Sequence, residues 1–219
     1  MTSLITNIDL DEKLKIVPVN YEDYCTWLDG ENENSHEYSV VVTNNTDIRD
    51  EKEWNTKGRE IYNINKLSVH INKIFNIINR LNLSNFIVKH EYKNAIWFPK
   101  DLIVDRELSE KDKEILDIKE LIDNKMNFIK KTFPNINLYE FNGGFNVKNK
   151  EQILDFISIF IDYPFLLSYR DVEMISTEID LIIKFTHHIT VDFITPNKNL
   201  IFKIKNLCNQ ENLTFIEGQ

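Results

Sequence analysis

The chain has 219 residues, 42% of them apolar and 11% aromatic, which is enough to close a sizeable core and excludes disorder as its general state. Only 5 Gly and 5 Pro argue against collagen-like, low-complexity and many-turned sandwich architectures. The formal net charge of -9 repels phosphate backbones, so direct nucleic-acid binding is not expected.

The charge is unevenly placed, with 14 acidic and 6 basic side chains in residues 1–60 against 21 and 20 in the remainder. Its densest parts are Glu22 and Asp23, then Asp29, Glu31, Glu33 and Glu37, then Asp47, Asp50, Glu51 and Glu53. Tyr21, Tyr24, Trp27, Tyr38 and Trp54 are interleaved with these acids. A solvated loop surface has this composition. So does a surface that attracts a basic protein and anchors it through aromatic side chains, and for that role the candidates are Trp27, Asp29, Glu31, Glu33, Asp50 and Trp54.

The opening stretch MTSLITNIDLDEKLKI lacks a basic segment followed by an apolar one, and no run approaches the roughly 18 to 20 apolar residues of a membrane span. A cytoplasmic protein without a membrane contact is expected. Cys25 and Cys208 are too few and too far apart for a zinc motif or a disulfide framework, so both are expected as free thiols. No motif calls for a cofactor or a metal.

Within residues 1–60 the extended runs are LKIVPV (14–19) and EYSVVVT (37–43). Ile64, Leu67, Ile71, Ile74, Phe75 and Ile78 then recur at helical spacing, predicting an amphipathic helix over 62–81. FIVKHEY (86–92) and NAIWF (94–98) read as strand, ended by Pro99. Ser109 and Asp112 approximate a capping box ahead of a second helical stripe, Ile115 to Ile129, which Pro134 closes. INLYEF (136–141), Asn142-Gly143-Gly144 and FNV (145–147) predict a short hairpin, with glycine supplying the turn.

KEQILDFISIFI (150–161) is predicted helical, PFLLSY (164–169) a strand, and 196–210 a last helix leading to LTFIE (213–217). Three stretches thus place a helix a few residues before an apolar strand. No Pro-, Gly- or Ser-rich linker interrupts them. The expected architecture is one α+β domain over 1–219, with a single mixed or antiparallel sheet and about four helices packed on it. Residues 1–60 form its acidic, irregular or short-stranded elaboration, and 61–219 its helix-strand core.

The segment 179–193 alternates without a break, with Ile179, Leu181, Ile183, Phe185, His187, Ile189, Val191 and Phe193 on one parity. The other parity carries Asp180, Ile182, Lys184, Thr186, His188, Thr190 and Asp192. Such a length fits either one long strand or a hairpin turning near His187 and His188, although the turn chemistry there is poor. A solvent-facing strand surface accounts for the polar parity. The alternative is a site in which His188 acts as acid and base, Thr190 orients a phosphate oxygen, and Asp192 or Lys184 tunes the imidazole. Residues available to a metal there are His188, Asp192 and His90 or Glu91, and a second acidic group comprises Asp171, Glu173, Glu178 and Asp180.

His188-Ile189-Thr190 resembles one copy of the His-x-Thr motif of the two-histidine phosphoesterases, which implies hydrolysis or formation of cyclic phosphates. That family carries a second copy, and the nearest segment here, Val69-His70-Ile71-Asn72, has Asn at the hydroxyl position and helical surroundings. Asn142-Gly143-Gly144 resembles the Asn-Gly-Gly of a superfamily of immunity proteins, without that superfamily's Leu-Pro helical lead-in. Gly-rich phosphate loops, His-Glu-x-x-His, Gly-x-Ser-x-Gly and Cys-x-x-Cys are absent from the sequence. The functional expectation is therefore a non-enzymatic inhibitor of the immunity or antitoxin type, directed at a basic toxin such as a nuclease. The alternative is a phosphodiesterase-like hydrolase using His188.

Overall fold

The computed structural model describes residues 3–19, 39–43, 64–91, 95–97, 127–137, 140–163, 171–186 and 190–217. They form one eight-stranded sheet, β1 Ser3–Ile5, β2 Ser39–Val42, β3 Phe86–His90, β4 Gly144–Val147, β5 Val172–Ser176, β6 Ile182–Phe185, β7 Val191–Ile194 and β8 Phe215–Glu217. Its spatial order is β1-β4-β3-β5-β6-β7-β2-β8, and every neighbouring pair is antiparallel. Four helices accompany it, α1 Asn7–Leu14, α2 Ile64–Arg80, α3 Lys150–Tyr163 and α4 Lys198–Gln210, together with a helical stretch at 127–132. The α+β class and the single antiparallel sheet agree with the pattern of the sequence.

One face of the sheet is apolar across its width because alternate residues of each strand point the same way. Val88, Met174, Ile183, Phe193 and Val40 form one row across five adjacent strands, and Val172, Phe185, Val191 and Val42 form the next. Helices α2, α3 and α4 lie on this face. They contribute Ile71, Ile74, Ile77 and Ile78, then Ile153 and Phe156, then Ile201, Ile204 and Leu207, to the same buried cluster as the strand residues. Burial of these side chains is the main stabilising term of the fold, at about 25 cal/mol for each Å² of apolar surface removed from water.

The connections explain the strand order. β4 and β5 both run antiparallel to β3, so the β4-α3-β5 passage straddles β3, and β7-α4-β8 straddles β2 in the same way. Helices α2 and α4 also end alike. Asn82 and Asn212 adopt left-handed backbone, φ 61° and 52°, where asparagine is tolerated better than most residues. Around them Leu83 N–H donates to the Ile78 carbonyl at 3.4 Å and Leu213 N–H to the Cys208 carbonyl at 2.9 Å, which closes a Schellman motif in each case. The helix-strand theme of the sequence is thus a shared helix exit in two of its three copies. The strand expected at 164–169 lies outside the described residues.

Three predicted elements are corrected. LKIVPV is not a strand, because α1 continues to Leu14. Thr6 caps that helix, accepting from Asp9 N–H at 3.2 Å and donating its hydroxyl to the Asp9 carboxylate at 2.6 Å, a start signal that outweighs the β-branched run behind it. Residues 95–97 are not a strand either. Trp97 is fully buried, its indole donating to the Gly143 carbonyl at 2.9 Å and its ring lying 4.1 Å from His90 and 5.0 Å from Phe145.

The hairpin expected over 136–147 does not form, since β4 pairs with β1 and β3. Gly143 and Gly144 serve a close approach of chains instead of a turn. A Cβ at Gly143 would collide with the Ile5 carbonyl, and one at Gly144 would lie 2.9 Å from the Val88 carbonyl. The helix predicted from Ser109 falls outside the described residues except for its end at 127–132, two residues before Pro134.

Candidate functional site

The opposite face of the sheet divides into three rows. The first is apolar, with Ile87, Ile175, Ile182 and Ile194 on β3, β5, β6 and β7. Leu10 and Leu14 of α1, with Val17 and Val19 beyond it, pack on this row. The second row is ionic: Lys89, Glu173, Lys184 and Asp192 stand opposite one another on the same four strands, alternating in sign. Neighbouring strands lie about 4.8 Å apart, so residues of opposite charge are neighbours at each step across the sheet, and Lys89 and Glu173 close an ion pair within the row.

Burial makes these contacts consequential. Glu173 is 0% exposed, and the Lys89 ammonium donates to its carboxylate at 2.7 Å and to the His90 carbonyl at 2.6 Å. Lys184 reaches past its register partners to the third row, bonding Glu91 at 2.6 Å and Asp171 at 3.2 Å. Burial alone would lower the Lys184 ammonium's pKa. The bond to Glu91 and the charge of Asp171 outweigh that and hold it above its ordinary value.

The third row is completed by threonines. Thr186 N–H donates to the Thr190 carbonyl at 3.1 Å, and the two hydroxyl oxygens are 2.7 Å apart. The Thr190 hydroxyl in turn lies 3.5 Å from a carboxylate oxygen of Asp192. Burial pushes the Asp192 carboxyl up to about 6, opposed by Lys184 and Thr190 and reinforced by Asp171.

This arrangement resolves the alternation of 179–193 as a hairpin. Ile183 pairs with Phe193, Lys184 with Asp192 and Phe185 with Val191. Five residues separate Phe185 from Val191, and this odd number returns each parity to its own face. Lys184, Thr190 and Asp192 are therefore brought together, as neighbours across two strands and not as a line along one. His188 lies outside the described residues, as do Trp27, Asp29, Glu31, Glu33, Asp50 and Trp54.

The other candidate ligands are separated. His90 sits on the helix-covered face against Trp97, whereas Glu91 joins Lys184. Glu178 is removed from Asp171 and Glu173 to the far end of β5. There it accepts from Ser84 N–H at 2.8 Å and from the Asn85 side chain at 2.9 Å. Burial raises the Glu178 carboxyl, and these bonds outweigh it and bring it below the usual carboxylate range. Among the described residues no group of three His, Cys, Asp or Glu side chains is placed to hold a metal ion. Cys208 is a free, buried thiol that burial pushes up to about 12, which leaves it unreactive at neutral pH.

Sequence reasoning missed Lys89 and the pairing of Glu91 with Lys184. The available signal was an alternation in FIVKH that places Lys89 beside Ile87 on one face, a charge within an otherwise apolar strand. Among the described residues no helix is long and apolar enough to cross a membrane. No family model, curated protein or solved structure matches this chain.

Proposed function

We propose that the chain is a cytoplasmic protein-binding inhibitor of the immunity or antitoxin type, which neutralises a basic partner such as a nuclease toxin. The observation that carries this reading is the partition of charge, 14 acidic against 6 basic side chains in residues 1–60, with Trp27 and Trp54 among the acids. An acidic surface steers a basic partner into encounter, and aromatic anchors hold it. The polar sheet face is compatible with this role. Both of its lysines are engaged by carboxylates, and Glu91, Asp171, Glu173 and Asp192 surround them, a field that disfavours a phosphodiester. Capture from cells of a basic protein by the wild-type chain, lost at high salt and lost in the Asp29→Asn, Glu31→Gln, Glu33→Gln variant, supports the reading. Capture indifferent to both contradicts it.

A second reading, a phosphodiesterase-like hydrolase using His188, Thr190, Asp192 and Lys184, is favoured by one observation. Asp192 is held near 6 beside the Thr190 hydroxyl, a range in which a carboxyl exchanges protons at physiological pH. Turnover of cyclic or linear phosphodiesters, abolished in His188→Ala without loss of fold, would replace the inhibitor reading with this one.

A further inference from the structure

We propose that Asp192, Thr190 and Thr186 form a proton-set hydrogen-bond relay at the base of the β6–β7 hairpin, in which the protonation state of Asp192 fixes the direction of both hydroxyl bonds. The inference is independent of the inhibitor reading and concerns how the hairpin responds to acid.

The geometry is that of a chain of three groups. Thr186 and Thr190 oxygens lie 2.7 Å apart and either can donate, while Thr190 oxygen lies 3.5 Å from Asp192 Oδ1. A carboxylate only accepts, so ionised Asp192 requires Thr190 to donate to it and leaves Thr186 to donate to Thr190. A protonated carboxyl donates. It keeps its proton and donates a hydrogen bond to Thr190 Oγ1, and Thr190 then donates to Thr186. The chain therefore reverses as a unit, and no bond within it is lost in either state.

The groups around Asp192 make its proton exchangeable. Asp192 stands opposite Lys184 of β6 in register, but that ammonium is bonded to Glu91 and Asp171 and forms no ion pair with Asp192 within 4.0 Å. From β2 the facing residue is Val41, which carries no charge. Asp171, just before β5, raises the cost of ionising Asp192, and Lys184 and Thr190 lower it. Glu173 of β5 and Lys89 of β3 are bonded to each other one strand further on. Among the described residues these are the charged groups that face the site from its neighbouring strands. Burial outweighs the Lys184 charge and the Thr190 hydrogen bond, and the Asp192 carboxyl is pushed up to about 6.

The test is a carbon-detected NMR titration of the Asp192 carboxyl in the full chain, with the Thr186 and Thr190 amide resonances followed between about pH 3 and 8, a range that brackets the ordinary histidine and aspartate values. The relay predicts an Asp192 midpoint near 6, a matching inflection at both threonines, and loss of that inflection in Asp192→Asn. Thr190→Val removes a donor to the carboxylate and moves the Asp192 midpoint further up, while Asp171→Asn moves it down. The valine variant decides the matter where the asparagine variant does not fold. An Asp192 midpoint in the ordinary carboxylate range overturns the proposal. So does a threonine inflection that survives Asp192→Asn, which would belong to His187 or His188, or an Asp192 midpoint unmoved in Thr190→Val.

Discussion

The Lys89 ammonium lies 2.7 Å from the Glu173 carboxylate in the middle of the sheet, on the face opposite helices α2, α3 and α4, with side-chain exposures of 6% and 0%. The two residues are 84 apart in sequence, and each also belongs to the alternating row that continues to Lys184 and Asp192. Removing one partner strands the other charge in a poorly solvated place, which costs about 3 to 5 kcal/mol, whereas replacing both by apolar side chains of similar volume is often neutral.

Lys89→Met and Glu173→Met are each expected to destabilise the fold by about 3 kcal/mol or more in denaturant unfolding, and the double variant to recover most of the loss. Additive losses would mean that the pair is not coupled.

Two groups, half-buried Asp192 and buried His70, titrate with opposite sign. Burial raises Asp192 to about 6 and, helped by the Lys73 charge, lowers His70, whose Nε2 has no hydrogen-bond partner among the described residues, to about 4. Folded Asp192 binds its proton more readily than the unfolded chain does, so its share of stability grows as pH falls through 6 toward the ordinary 3.8. The unfolded chain binds a proton at His70 more readily, so that share is lost as pH falls from the ordinary 6.5 toward 4.

Each contribution is on the order of 3 kcal/mol at about 1.4 kcal/mol per unit, and they nearly cancel in the wild type. Relative to wild type, Asp192→Asn is expected to lose stability on acidification across this window and His70→Leu to gain it. Parallel profiles for all three proteins would contradict the assignment.

Gly143→Ala places a methyl group against the Ile5 carbonyl, where β1 meets β4. The expected destabilisation is about 2 to 4 kcal/mol, because backbone and not a flexible side chain must move. A melting temperature equal to wild type would mean that β1 does not approach this closely.

At the shared helix exits, Asn82→Ala and Asn212→Ala force alanine into left-handed backbone and are expected to cost about 1 kcal/mol each. The glycine variants at the same positions are expected to be neutral or slightly stabilising. Equal effects of alanine and glycine would remove the backbone explanation.

The sequence was most legible where one periodicity controlled both pairing and burial. The helical spacing of Ile71, Ile74 and Ile78 placed α2, and the unbroken alternation of 179–193 located β6 and β7. That alternation could not separate one strand from two, because an odd connection preserves parity and the connection lacks glycine or asparagine. Gly143-Gly144 misled for the opposite reason: a turn and a close approach of strands both call for a missing Cβ. The ionic row was invisible in any local window, since Lys89, Glu173, Lys184 and Asp192 meet only through the sheet order. The residues assigned to partner binding rest on composition alone, and composition carries no geometry.

The inhibitor reading is tested most directly by the association rate of a captured basic partner with the wild-type chain and with the Asp29→Asn, Glu31→Gln, Glu33→Gln variant, each at low and high salt. A steered acidic surface predicts that the variant associates about tenfold more slowly at low salt, that this gap closes at high salt, and that dissociation changes little. Equal association rates with the same salt dependence would contradict the assignment of that surface and, with it, the central claim.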